Sequence, residues 1–81
     1  MNEVFLIGKI ITEIKFDFVL NSKKKSIAQF YLKTLDKEEI KIAGYDDIAD
    51  FCYSKLNKDD KLFLYGFLNK DKVEIKRVKL L

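Results

Sequence analysis

Apolar and polar side chains alternate with a period of two through most of this 81-residue chain, and a single stretch repeats at helical spacing. Period two sends successive side chains to opposite faces of a strand, so each apolar face must find another to cover it. Ile14, Phe16 and Phe18 alternate with Glu13, Lys15 and Asp17. Within Ser26 to Leu35, Ala28, Phe30 and Leu32 form one face and Gln29, Tyr31 and Lys33 the other. From Glu38 to Ala43, Ile40 and Ile42 point inward and Glu39, Lys41 and Ala43 outward. Leu62 and Leu64 oppose Phe63, Tyr65 and Phe67 within Lys61 to Leu68, and Val73 to Leu81 reads as the last strand. Phe16, Phe18 and Phe30 read as core.

The opening segment breaks the rule. Val4, Leu6 and, after Gly8, Ile10 share one face, while Phe5 and Ile7 make the other face apolar too. Gly8 marks a bulge or sharp bend inside it, of the kind a small barrel needs at a corner. The strand then resumes through Phe18, so the first element is one long bent strand. Asn21 to Lys25, Asp36-Lys37, Asn57 to Asp60 and Asn69 to Lys72 read as turns. Ile48, Ala49, Cys52 and Leu56 recur at helical spacing, predicting a helix over Asp47 to Leu56 with Asp46 or Asp47 as its N-cap. The order is long bent strand, strand, strand, helix, strand, strand. It predicts an all-β fold: a five-stranded OB-fold barrel with one helix between strands 3 and 4, forming a single domain over residues 1–81.

A chain this short buries only about 60% of the surface that its unfolded form exposes. Cys52 is the only cysteine and histidine is absent, so neither disulfides nor a zinc cluster can reinforce the core, and no cofactor is expected. Association with further copies is the remaining support, which predicts a homodimer or homotetramer. The first strand is the expected contact, through Val4, Phe5 and Ile7. It is apolar on both faces, and its N-terminal half risks being an open edge. A lone cysteine without a signal peptide fits a reducing, cytoplasmic setting. The apolar run Val4 to Ile7 is far too short to span a bilayer. Catalysis has little to work with. No histidine can act as a base, Cys52 lies on the apolar helix face, Asp46-Asp47 reads as a cap and Asp59-Asp60 as a turn. The chain reads as a binder, not an enzyme.

The net charge of +3 is carried almost entirely by lysine, with Arg77 the only arginine. Basic residues dominate both end thirds. The middle holds Asp36, Glu38, Glu39, Asp46, Asp47, Asp50, Asp59 and Asp60. Such segregation can give a folded domain one basic face, and it is equally compatible with an ordinary solvated surface.

Several segments resemble the bacterial single-stranded DNA-binding protein family. Met1-Asn2-Glu3-Val4-Phe5-Leu6-Ile7-Gly8-Lys9-Ile10 is similar to the family's start. Ile27-Ala28-Gln29-Phe30-Tyr31-Leu32 is similar to its second strand. Ile40-Lys41-Ile42-Ala43-Gly44-Tyr45, followed by Ile48-Ala49-Asp50, resembles the third strand entering the helix. Leu62-Phe63-Leu64-Tyr65-Gly66-Phe67-Leu68 is similar to the fourth strand. The departures are tight turns at Asp36-Lys37 and Asn69 to Lys72, no Trp, Glu39 where a stacking aromatic is expected, and Asp59-Asp60 in place of a Lys-Gly pair. No linker or acidic tail follows Leu81 in this sequence. The resemblance implies a reduced relative, closer to the short primosomal replication protein N or to a plasmid or phage protein. It also implies association through the first strand.

Binding single strands without sequence preference needs cations for phosphates and flat rings for bases. The outer face of the second and third strands offers Gln29, Tyr31, Lys33, Lys41 and Tyr45. Lys9, Lys15, Lys23, Lys24 and Lys25 can flank them, and Tyr65 adds a ring on the fourth strand. Phe63 and Phe67 suit either a groove or a dimer contact. The expected partner is single-stranded DNA, with RNA as a further ligand. The alternative is an OB-fold protein-interaction or oligomerisation module with weak or no nucleic-acid binding, which Glu38-Glu39 and the short loops favour.

Overall fold

The computed structural model describes residues 2–20 and 23–81. The elements run β1 (Glu3–Ile10), β2 (Lys15–Phe18), β3 (Ser26–Thr34), β4 (Glu39–Tyr45), α1 (Asp47–Lys55), β5 (Lys61–Asn69) and β6 (Lys72–Leu80). Strand order is β1-β5-β6-β4-β3-β2, and β1 also pairs with β3. That last pairing, Gly8 to Ile10 against Thr34 to Leu32, closes β1, β5, β6, β4 and β3 into a barrel. This is the five-stranded barrel with one helix that the alternation predicts. The helix follows β4 because the expected long bent strand is divided into β1 and β2.

The division has a local cause. Between Ile10 and Lys15 the chain stays tied to β3 at one rung only. Ile11 N donates to the Tyr31 carbonyl at 3.0 Å, and Tyr31 N donates to Thr12 Oγ1 at 3.0 Å. A side-chain hydroxyl thus takes the place of a backbone acceptor, and the ladder lapses there. Gly8 sits where β1 is flanked by β3 and β5 together. A Cβ at Gly8 would collide with the Lys33 carbonyl and the Leu32 side chain, so only glycine lets the barrel close.

The inward residues meet in one core. Ile10, Ala28, Phe30, Leu32, Ile42, Leu62, Leu64, Val73 and Ile75 come from the strands, and Ala49, Cys52 and Leu56 from the helix side that plugs the barrel end. Burial pushes the Cys52 thiol up to about 12, so it is a small apolar filler. Among the described residues no helix is long and apolar enough to cross a membrane.

Two expectations need correction, at Phe18 and Asp46, and one residue that does face outward as expected, Ala43, is nonetheless buried. Phe18 is not core. It is 78% exposed at the end of edge strand β2, beyond the closed part of the barrel, with its ring edge-on to Phe16 at 5.6 Å. Ala43 faces outward yet is fully buried, because Gln29 of β3 and Glu74 of β6 flank this small side chain in register. Asp46 holds the N-cap position but makes no side-chain cap bond. Its Oδ1 accepts instead from Lys25 N at 2.7 Å and Ser26 N at 3.3 Å, tying the start of β3 to the start of the helix. The expected turn at Asn21 to Lys25 has Asn21 and Ser22 outside the described residues.

Candidate nucleic-acid interface

Alternation along β3 turns Gln29, Tyr31 and Lys33 away from the core, and pairing sets their neighbours. Lys15 of β2 lies opposite Gln29, and Lys41 of β4 lies opposite Tyr31. With Thr12, the residues Lys15, Gln29, Tyr31 and Lys41 line one shallow cleft of about 300 Å³, while Lys33 lines a different one. Tyr31 is 41% exposed, so its ring is open to a ligand while its backbone is held at Thr12. A flat ring that shares a cleft with two lysines can stack a base while the lysines meet the flanking phosphates.

Tyr45 ends the β4 side of this wall. The Lys24 ammonium lies 4.8 Å and the Lys72 ammonium 5.6 Å from its ring centroid. Lys72 Nζ also donates to Tyr45 Oη at 2.9 Å. That bond holds the Lys72 pKa above its ordinary value. The Tyr45 ring therefore already carries cations, so a base stacking on it must share or displace them. Lys23 and Lys25 line a separate depression with Asp46, Asp47 and Asp50, where carboxylates meet their charge. The backbone N–H groups of Lys25 and Ser26 hold the Asp46 carboxyl below the usual carboxylate range, led by Lys25 and against the opposing effect of desolvation.

Lys9 and Lys33 lie apart from the tyrosines, directly opposite each other where β1 meets β3. Lys9 makes an exposed ion pair with Asp59 at 3.7 Å, and Lys33 faces Glu39 across β4.

Tyr65 belongs to a different surface. On the outer face of β1 and β5, its ring packs 4.9 Å from Phe5, and Phe5 stacks 6.3 Å from Phe63. Phe67 stands edge-on to Tyr65 at 5.7 Å, with the Lys76 ammonium 5.5 Å above it. Tyr65 Oη donates to a Glu3 carboxylate oxygen, which raises the tyrosine pKa. Lys76 reaches Phe67 because β6 carries an extra residue here: Gly66 pairs with Ile75, but Tyr65 pairs with Arg77. Phe5 is 66% and Ile7 46% exposed, while Val4 turns inward onto the core. Residues 3–7 of β1 pair only with β5, so their other edge has no strand partner among the described residues.

No family model matches the chain, and no curated protein matches it by sequence. Solved structures do match. The SSB domain of a Synechococcus protein superposes with a TM-score of 0.83 at 17% identity, over 96% of this chain and 93% of that one. The single-stranded DNA-binding protein of Thermus aquaticus gives 0.87 at 19%, over 100% of this chain and 40% of that one. The small single-stranded DNA-binding protein of Streptomyces coelicolor gives 0.82 at 11%, over 98% and 91%. The chain has the fold of single-stranded DNA-binding proteins.

Within this OB-fold, alternation missed Lys72 and Thr12. Lys72 joins the wall through the parallel pairing of β4 with β6, Lys41 opposite Lys72, which crosses a helix and a whole strand in sequence. Thr12 lies in the break between β1 and β2, where period two carries no information. Among the described residues, no three His, Cys, Asp or Glu side chains converge as a metal site would need.

Proposed function

We propose that this protein binds single-stranded DNA without catalysis and with little sequence preference, through the outer face of β3 and β4. The observation that carries the reading is the exposed Tyr31 ring, set in one cleft with Lys15 and Lys41. Tyr45 with Lys24 and Lys72 extends that wall. The solved proteins of the same fold are named for single-stranded DNA binding, which supports the same partner here. Lysine suits the role, because it meets phosphates as a point charge, whereas arginine's fork favours reading base edges. RNA single strands present the same phosphates and rings and compete for the same wall.

A titration with poly-dT at low and moderate salt, followed by intrinsic tyrosine fluorescence, tests this. Quenching is expected, with log affinity falling against log salt by about 0.7 per neutralised phosphate. A salt-independent signal, or none, overturns it.

The second reading is self-association, favoured by the open half of β1 and the Phe5–Phe63–Tyr65–Phe67 cluster beside it. The two readings are compatible, because they use different faces of the barrel. A homodimer built on β1, or a dimer of such dimers, would bring two walls within reach of one strand and raise avidity.

A further inference from the structure

The seam where the barrel closes carries a row of like charges. Lys9 on β1 lies directly opposite Lys33 on β3 and, on its other side, directly opposite Lys61 on β5. Directly opposed side chains on neighbouring strands have their Cβ atoms about 4.5–5.5 Å apart, and like charges so placed destabilise the sheet. Lys37, from the turn after β3, lines the same cleft of about 270 Å³, together with Ile7, Gly8, Leu35 and Leu81. Among the described residues, the only carboxylate within ion-pair reach of any of the four lysines is that of Asp59, on Lys9. An ordinary solvated surface spreads its lysines. Here four surround one cleft, countered by Asp59 on Lys9 and by Glu39 opposite Lys33.

We infer that this seam is a second anion site, separate from the Tyr31 wall, for a phosphate group carrying more than one negative charge. The terminal phosphate of a strand and a free oligophosphate share that chemistry. A phosphomonoester brings about −1.5 to −2 charge and three acceptor oxygens, against a single charge on an internal phosphodiester. The wall spaces its lysines beside rings, as a track for internal phosphates requires. The seam concentrates them without a ring, as an end group requires. The strand-end form of the inference rests on the wall's reading as a single-strand site; the oligophosphate form does not.

The test compares the intact protein with Lys37→Gln/Lys61→Gln and with Lys15→Gln/Lys41→Gln. The probes are inorganic tripolyphosphate, read by thermal shift, and a dT oligonucleotide with either a 5′-phosphate or a 5′-hydroxyl, read by anisotropy. Tripolyphosphate should raise the midpoint of the intact protein and of the wall variant but not of the seam variant. Without any phosphate, the seam variant should melt higher than the intact protein, because it relieves the repulsion. If the source is a strand end, the 5′-phosphate should tighten binding roughly tenfold, as one added charge-assisted hydrogen bond implies, and the seam variant should lose that gain. Equal affinity for both oligonucleotides alongside a tripolyphosphate response assigns the site to free oligophosphate. No response to either phosphate, or a response that survives in the seam variant, overturns the inference, even where the 5′-hydroxyl strand still binds and the wall's reading stands. If the 5′-hydroxyl strand fails to bind while tripolyphosphate acts at the seam, the wall's reading fails and the inference survives.

Discussion

Lys72 Nζ donates a 2.9 Å hydrogen bond to Tyr45 Oη and at the same time lies 5.6 Å from the centre of the Tyr45 ring. One ammonium thus fixes the ring's position and adds positive charge beside it. A raised lysine pKa keeps that charge in place below the ordinary 10.5, and it is lost only as pH rises through the higher folded value. Tyr45 therefore arrives at a ligand already oriented, whereas the Tyr31 ring is free.

From this difference, Tyr31→Ala should weaken poly-dT binding by the cost of one stacked base, ~1–3 kcal/mol, with circular dichroism unchanged. Tyr45→Phe keeps the ring but removes the acceptor for Lys72, so its loss should be smaller than that of Tyr45→Ala. Equal losses in the two Tyr45 variants would mean that the hydroxyl, not the ring, matters.

Phe5→Glu should convert an associated protein into a monomer. Phe5 is mostly exposed in the single barrel, so the change opens no core cavity, and it places a charge among Phe63, Tyr65 and Glu3. Sedimentation at micromolar concentration reads the outcome. A parent protein that is already a monomer, with or without DNA, rules out association through β1.

Asp46 gives the fold an acid-sensitive joint. Its folded pKa lies below the ordinary 3.8, so its contribution is fully present above that value and is lost as pH falls through the folded value. Asp46→Asn should be less stable than the parent at neutral pH, and the two denaturant midpoints should converge below about pH 3.8. A gap that persists in acid would mean that the loss is steric.

Phe30→Ala should cost ~3–5 kcal/mol, as the emptying of a core aromatic site does. Phe18→Ala should stay within about 0.5 kcal/mol of the parent, because that ring is largely in water. Urea midpoints distinguish them. Cys52 offers a matching readout. With its thiol pushed to about 12 and fully buried, it should react with a thiol reagent only as the protein unfolds.

Much of the barrel was legible because strand alternation is a local rule. Ala28, Phe30 and Leu32 face the core and Gln29, Tyr31 and Lys33 do not, as period two requires. The helix was legible from Ala49, Cys52 and Leu56 for the same reason. Local rules fail where the environment on a face is set by distant partners. Phe18 shares its face with Phe16, but only the closure of the barrel shows that it stays mostly exposed. Ala43 points outward, but only its flanking strands show that no water reaches it. Asp46 looks like a helix cap, and only the approach of Lys25 and Ser26 shows where its carboxylate goes.

The sequence by itself determined which side chains point in and which point out on β3, β4 and β5, because alternation depends on backbone geometry alone. Only the tertiary structure decided which outward residues meet. Tyr31 gained Lys41 through the antiparallel β3–β4 pairing, Tyr45 gained Lys72 from the start of β6, which pairs in parallel with β4, and Lys9 gained Lys33 and Lys61 at the closing seam. These neighbours are fixed by strand register and barrel closure, long-range pairings that no stretch of the chain encodes alone.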